Sequence, residues 1–149
     1  MKAERQRGER GQTTVLIVGF AVVLMMAVGM VVNASAAYLQ RQSLDNLADG
    51  AALTAADAGA EGHDVYGGGL EQSRLRLFEA AARRAVDDYL DSVGARSAYP
   101  GLTRTVHVDV DSRSVQVTVR APLALPLKVP GGPTSTTVVA TGAAAVSPE

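Results

Sequence analysis

A chain of 149 residues with a net charge of −1, no cysteine, no tryptophan and 4% aromatic residues sets firm limits on what it does. It has no thiol for catalysis, disulfides or metal ligation, no basic surplus for nucleic acid, and no aromatic platform on which sugars or bases would stack. Its length suits one small domain with a little chain to spare.

Residues 1–14 read as a cytoplasmic tail, of which 1–12 are expected to be disordered. Lys2, Arg5, Arg7 and Arg10 stand there against Glu4 and Glu9. Val15 to Val32 then run without a charge or a proline. About 18 residues at 1.5 Å rise give a helix of about 27 Å, close to the hydrocarbon thickness of a bilayer. A soluble core helix would show a polar face, and this one shows none. The reading is a transmembrane helix over 15–32 with the four basic residues as its topology signal. That puts the N-terminus inside, in a single-pass protein of the cytoplasmic membrane whose C-terminal domain is extracytoplasmic. Tyr38 suits the headgroup layer or an ordinary helix surface. Ala34-Ser35-Ala36 offers an alternative: a signal-peptidase site after Ala36 and release as a secreted, non-enzymatic protein. The apolar run is longer than the 7–15 residues usual for a signal core.

No break follows the span, and the reading is one continuous helix from about Thr14 to about Ala58. Its second half, 33–58, forms an extracytoplasmic extension. Gly50 weakens it by about 1 kcal/mol relative to alanine. Leu44, Leu47, Ala48, Ala51 and Ala55 make a narrow stripe of mostly small side chains on one face, a candidate helix interface. Two partners suit it: the chain's own later domain, or a helix of another chain. Arg41, Asp45 and Asp49 line the neighbouring polar face. Residues 59–69, rich in glycine, read as a linker, with loop character starting at Asp57. Asp57, Glu61, His63 and Asp64 are too irregularly spaced for a metal site.

Residues 70–149 read as a small α+β domain. A second helix is expected over Leu70–Val93, with Leu75, Phe78, Ala82, Val86, Tyr89, Leu90 and Val93 on its apolar face and Gly94 as its stop. Asp87, Asp88 and Asp91 form a solvated face, or a site for a cation or basic partner. The period then changes to two. Thr105–Val110 and Val115–Ala121 alternate around Asp111-Ser112-Arg113-Ser114, which predicts a valine-faced hairpin, expected to pack on the second helix. Leu123, Leu125 and Leu127 alternate among Pro122, Pro126 and Pro130, as in an edge strand or extended cover. Thr136–Val146 predicts a last strand. His107, Asp109, Asp111, Ser112 and Ser114 lie close together, but alternation already accounts for them and no nucleophile elbow accompanies them. Asp109-x-Asp111-x-Arg113 has arginine where a calcium loop needs a ligand. The sequence therefore points to no catalytic site, no cofactor, no metal and no small-molecule ligand.

Two stretches carry a family resemblance. Arg10-Gly11-Gln12-Thr13-Thr14-Val15 places an Arg-Gly just before a single span. Gln42-Ser43-Leu44-Asp45-Asn46-Leu47-Ala48-Asp49-Gly50-Ala51-Ala52-Leu53-Thr54-Ala55-Ala56 is similar to an Ala-Asp-Ala-Ala-Ala-Leu stretch, with Gly50 replacing an alanine. Together they resemble the TadE/TadG-like proteins of the tight-adherence (Flp) pilus, and the alanine-rich second helix with a valine hairpin is similar to small actinobacterial members. The resemblance implies a pilin-like plan: a membrane-anchored accessory or minor component of a pilus assembly or related secretion system, not an enzyme. The implied partners are the lipid bilayer and other pilin-like or Tad-system membrane proteins. True pilins carry glutamate five residues after the glycine where the prepilin peptidase cuts. Here cutting after Gly11 puts Leu16 at that position, and cutting after Gly8 puts Thr13 there.

Overall fold

The computed structural model describes the backbone of residues 6–65, 71–109, 112–128 and 130–145, and side chains within those limits over 11–59 and from 76 onward. Helix α1 spans Gln6–Val65, α2 Glu71–Ser92 and the one-turn α3 Ala95–Ala98; strands β1 (Thr103–Asp109), β2 (Ser114–Ala124) and β3 (Ser135–Ala145) follow. The strands form one antiparallel sheet in the order β1-β2-β3. The fold is α+β.

Helix α1 runs 60 residues without interruption, about 90 Å at 1.5 Å per residue. It is longer than expected at both ends. The polar tail is helical from Gln6, because once the apolar run has formed a helix each added turn of Arg, Gln or Glu costs little. At the other end the expected linker 59–69 is helical through Val65; its remaining positions lie outside the described residues. The glycine reading failed there for a packing reason. Gly59 is buried, and a Cβ built on it would sit 2.0 Å from the Phe78 ring. Gly59 is where a neighbouring helix comes close, not where the chain turns.

Helix α2 packs antiparallel to this end of α1: Tyr89 lies over Gly50 and Phe78 over Gly59. Gly50 thus makes room for the Tyr89 phenol, whose oxygen would stand 2.1 Å from an added Cβ. Ala82, Val86 and Leu90 of the α2 apolar face are buried and Phe78 and Tyr89 half-buried. Val93, expected on the same face, is 51% exposed, because the helix has ended at Ser92 and Gly94 turns the chain away with φ +67°. Leu75 lies outside the described side chains.

The hairpin pairs Val106 with Val117 and Val108 with Val115, and β2 continues to Ala124 against β3, with Val119 opposite Ala140. Alternation puts Val115, Val117, Val119, Ala121, Val138, Ala140 and Ala144 on the buried face. That face packs mainly on α1, not on the second helix as expected, and α2 meets the sheet chiefly at β1. The reason is steric. Gly142 sits against the α1 backbone, where an added Cβ would lie 2.4 Å from the Ala48 carbonyl carbon. Alanine on one side and glycine on the other let sheet and helix backbones touch.

Pro122 fits because it lies beyond Arg120, the last β2 residue paired with β1, so its missing N–H is on an unpaired edge. Its carbonyl accepts a hydrogen bond from Gln40 Nε2 at 3.4 Å. The expected edge segment is therefore the end of β2 followed by a loop whose base is closed by Leu125 N–H donating to Thr134 O at 3.1 Å. Val110, Asp111 and Val146, expected in the hairpin and last strand, lie outside the described residues.

Candidate functional site

The stretch singled out by the sequence stands clear of the folded part. From Val15 to Val32 the large apolar side chains of α1 are exposed, between 37% at Met26 and 74% at Val15. A protein surface of this kind, apolar on every side and uninterrupted by charge, is unstable in water and matches a bilayer in length. It is the one described helix long and apolar enough to cross a membrane. The side chains of Lys2, Arg5, Arg7 and Arg10 lie outside the described residues.

One strip of α1 does not face outward. Just past the apolar length, Asn33, Ala36, Ala37 and Gln40 are half-buried and Leu44 and Ala48 fully buried, at steps of three and four with Ala36 and Ala37 side by side, so they share one face of α1. Polar side chains along that face tie the helix to the domain. The Asn33 amide makes a reciprocal pair with one residue: Nδ2 donates to Leu127 O at 2.7 Å, and Leu127 N–H donates to Asn33 Oδ1 at 3.0 Å. Gln40 reaches Pro122, and the hydroxyls of Ser43 and Tyr99 are 2.6 Å apart. The folded part thus begins immediately past Val32. On the opposite face Val31, Ala34, Ser35, Tyr38 and Leu39 line a shallow groove, with Tyr38 69% and Leu39 64% exposed. Apolar exposure therefore continues about two turns beyond the span on this side.

The candidate helix interface has its partner inside the molecule. Leu44, Ala48, Ala51 and Ala55 are fully buried in the core, joined by Ala52 and Ala56, and Leu47 packs against them half-buried. The stripe is wider than expected because α2 covers one side and the sheet another. Of its two expected partners, the chain's own domain occupies it, and that leaves this face no surface for a helix of another chain.

The acidic end of α2 is also taken up within the chain. Arg104 on β1 donates to both carboxylate oxygens of Asp87, through Nε to Oδ1 at 3.0 Å and Nη2 to Oδ2. Arg96 on α3 donates to Asp87 Oδ1 at 2.8 Å and to Asp91 Oδ1 at 2.6 Å. The hydrogen bond from Arg104 and the two positive charges hold the Asp87 carboxyl below its ordinary range, against the opposing effect of burial. Asp91, then Asp87, raise the pKa of Arg96. This network joins α2, α3 and β1. Neither arginine stood out in the sequence, because their partners are brought near only by the α3 turn.

The polar hairpin positions stay dispersed. His107 and Asp109 are exposed on the outer face of β1. Asp109 Oδ1 accepts from Ser112 N–H at 3.3 Å, and the Ser112 and Ser114 hydroxyls are 2.8 Å apart, which is turn chemistry. Asp111 lies outside the described residues. Among the described residues no three His, Asp or Glu side chains gather as metal ligands.

Compared with known proteins, residues 11–58 match the Tad family, described as "Putative Flp pilus-assembly TadE/G-like". The match runs through the exposed apolar length of α1, the Asn33 and Gln40 ties and the buried alanine stripe, and it meets the resemblance read from the sequence. No curated protein and no solved structure matches the chain.

Proposed function

We propose that the protein, pilus-assembly related by its TadE/G-like segment, is a membrane-anchored, pilin-like accessory or minor component of a Tad (Flp) pilus or a related secretion system. The observation that carries this is the division of α1. One unbroken helix is apolar and exposed over its first half and is the core of a folded domain over its second. Such a helix delivers a domain to a membrane surface and holds it there. The exposed groove of Val31, Ala34, Ser35, Tyr38 and Leu39, at the foot of the domain, is the surface left for a helix of another Tad-system protein. The basic residues at the N-terminus support an inside orientation.

The geometry favours this over release after Ala36. A signal peptidase needs an extended segment, whereas Ala34-Ser35-Ala36 lies within α1, flanked by the Asn33–Leu127 pair, and Ser35 Oγ donates to Val31 O at 2.9 Å. Among the described residues the polar side chains near the hairpin form turn and ion-pair contacts. The test is purification from membranes with detergent. Recovery at the full 15.4 kDa, together with the pilus motor ATPase and its inner-membrane platform, supports the proposal. Recovery from the medium with a loss of nearly 4 kDa, at about 110 Da per residue, overturns it.

A further inference from the structure

The loop between β2 and β3 is fixed at the height where the apolar run ends. Leu127 has both its backbone N–H and its C=O paired with the Asn33 side chain, one residue past Val32. Gly29 lies one turn below Asn33 on the same face and is the only buried residue between 11 and 32. Gly19, in the same helix, is exposed, so a bare helix does not bury a glycine by itself. The loop held by Asn33 lies one turn above this buried glycine.

Its chemistry suits that depth. Pro126, Pro130 and Pro133 have no N–H to satisfy, and the donors of Leu125 and Leu127 are already used. Leu127 turns its side chain outward, 42% exposed, and Pro126 and Lys128 are exposed beside it. Lys128 is the only charged residue between Arg120 and Glu149. An exposed leucine beside prolines, one ammonium and no carboxylate describe a segment for the headgroup layer, where a lysine meets lipid phosphate and its stem lies along apolar surface.

We propose that this loop is a second membrane contact: Leu127 and its flanking prolines enter the leaflet nearest the domain, and Lys128 pairs with lipid phosphate. The proposal rests on the membrane-anchored reading and is separable from it. The cysteine-free chain takes single spin labels at Leu127→Cys, Val23→Cys in the span and Gln116→Cys on the outer sheet face, all at exposed positions. Each is reconstituted at full length in vesicles of phosphatidylethanolamine and phosphatidylglycerol. Collision with oxygen, which partitions into lipid, is compared with collision with a water-soluble nickel chelate. The expected result is an oxygen-to-nickel ratio highest at 23, lowest at 116, and at 127 several-fold above that at 116. In a Lys128→Glu background the value at 127 should fall towards that at 116. A label at 127 that reads as aqueous as 116, while 23 reads as lipid, overturns the loop contact and leaves the anchor standing. An aqueous reading at 23 overturns both. A value at 127 unchanged by Lys128→Glu removes lysine–phosphate pairing from the proposal.

Discussion

The two halves of α1 make the same secondary structure from different side chains for different surroundings. Over 15–32 the helix carries valine, leucine and methionine all round, and these are exposed. Over 44–56 it carries alanine on a broad buried face and Asn46, Asp49 and Leu53 on the exposed one. On the membrane-anchored reading the first half meets lipid chains, which conform to any side chain, so it is constrained in polarity and hardly in volume. The second half meets other backbones, and there size decides: Gly142 touches Ala48, Tyr89 fills the space over Gly50, Phe78 that over Gly59. Helix propensity is higher in the alanine-rich second half, yet both halves are helical. What differs is what each half can be packed against.

Changing charge where size rules should have the largest effect. Val117 is fully buried, so Val117→Asp puts an unpaired carboxylate in the core at a cost of several kcal/mol and should abolish protease resistance. Val108, paired with Val115 near the end of β1 and only half-buried, should tolerate the same change better. Equal sensitivity of the two would contradict the burial pattern. Next comes volume. Gly142→Val forces Cβ against the Ala48 backbone, which cannot step aside as a side chain would, and should cost about 3 kcal/mol in chemical denaturation. Gly19→Ala, with nothing within 4 Å of the new Cβ, is the matched control and should leave the domain's stability unchanged.

Asp87→Asn should act more weakly, by about 1 kcal/mol or less, because the carboxylate and its arginine partners are partly exposed and screened. Its signature is pH dependence. The folded-state pKa of Asp87 lies below its ordinary 3.8, so the contribution is fully present above that value and is lost as pH falls through the lowered one. Thermal midpoints of wild type and variant should therefore differ at neutral pH and converge in acid. A constant gap would show that the network acts through packing instead. The smallest effect belongs to Arg41→Ala, on an exposed helical ion pair of 3.9 Å, within about 0.5 kcal/mol.

The sequence was most readable where one period governs one face. The valine alternation gave β1 and β2 to within a few residues, and the span announced itself by the lack of any polar position. It was least readable where a glycine had two possible meanings. Gly59 resembles a helix terminator and is a contact point, whereas Gly94 is a true stop with a positive φ; only Phe78, 19 positions further on, distinguishes them. The alanine stripe could be recognised as a close-approach surface, but the identity of its partner depends on the tertiary fold. The Asp87–Arg96–Arg104 network and the Asn33–Leu127 pair were illegible for the same reason, since the latter joins residues 94 positions apart. An asparagine at the end of an apolar run is an ordinary polar boundary until the loop it holds is seen.

A helix of 60 residues without a proline is also a mechanical part. Kinks concentrate at prolines, and α1 has none between the span and the core. The domain therefore has no proline hinge beneath it. On the membrane-anchored reading its attitude follows the tilt of the apolar half, and a pull on the sheet is delivered along the helix axis to that end. The ties at Asn33, Gln40 and Ser43 lie in series beside that axis and meet such a load as shear shared among several bonds. A lever of this build reports movement at one end as movement at the other, which on the proposed reading suits a component that a pilus machine handles.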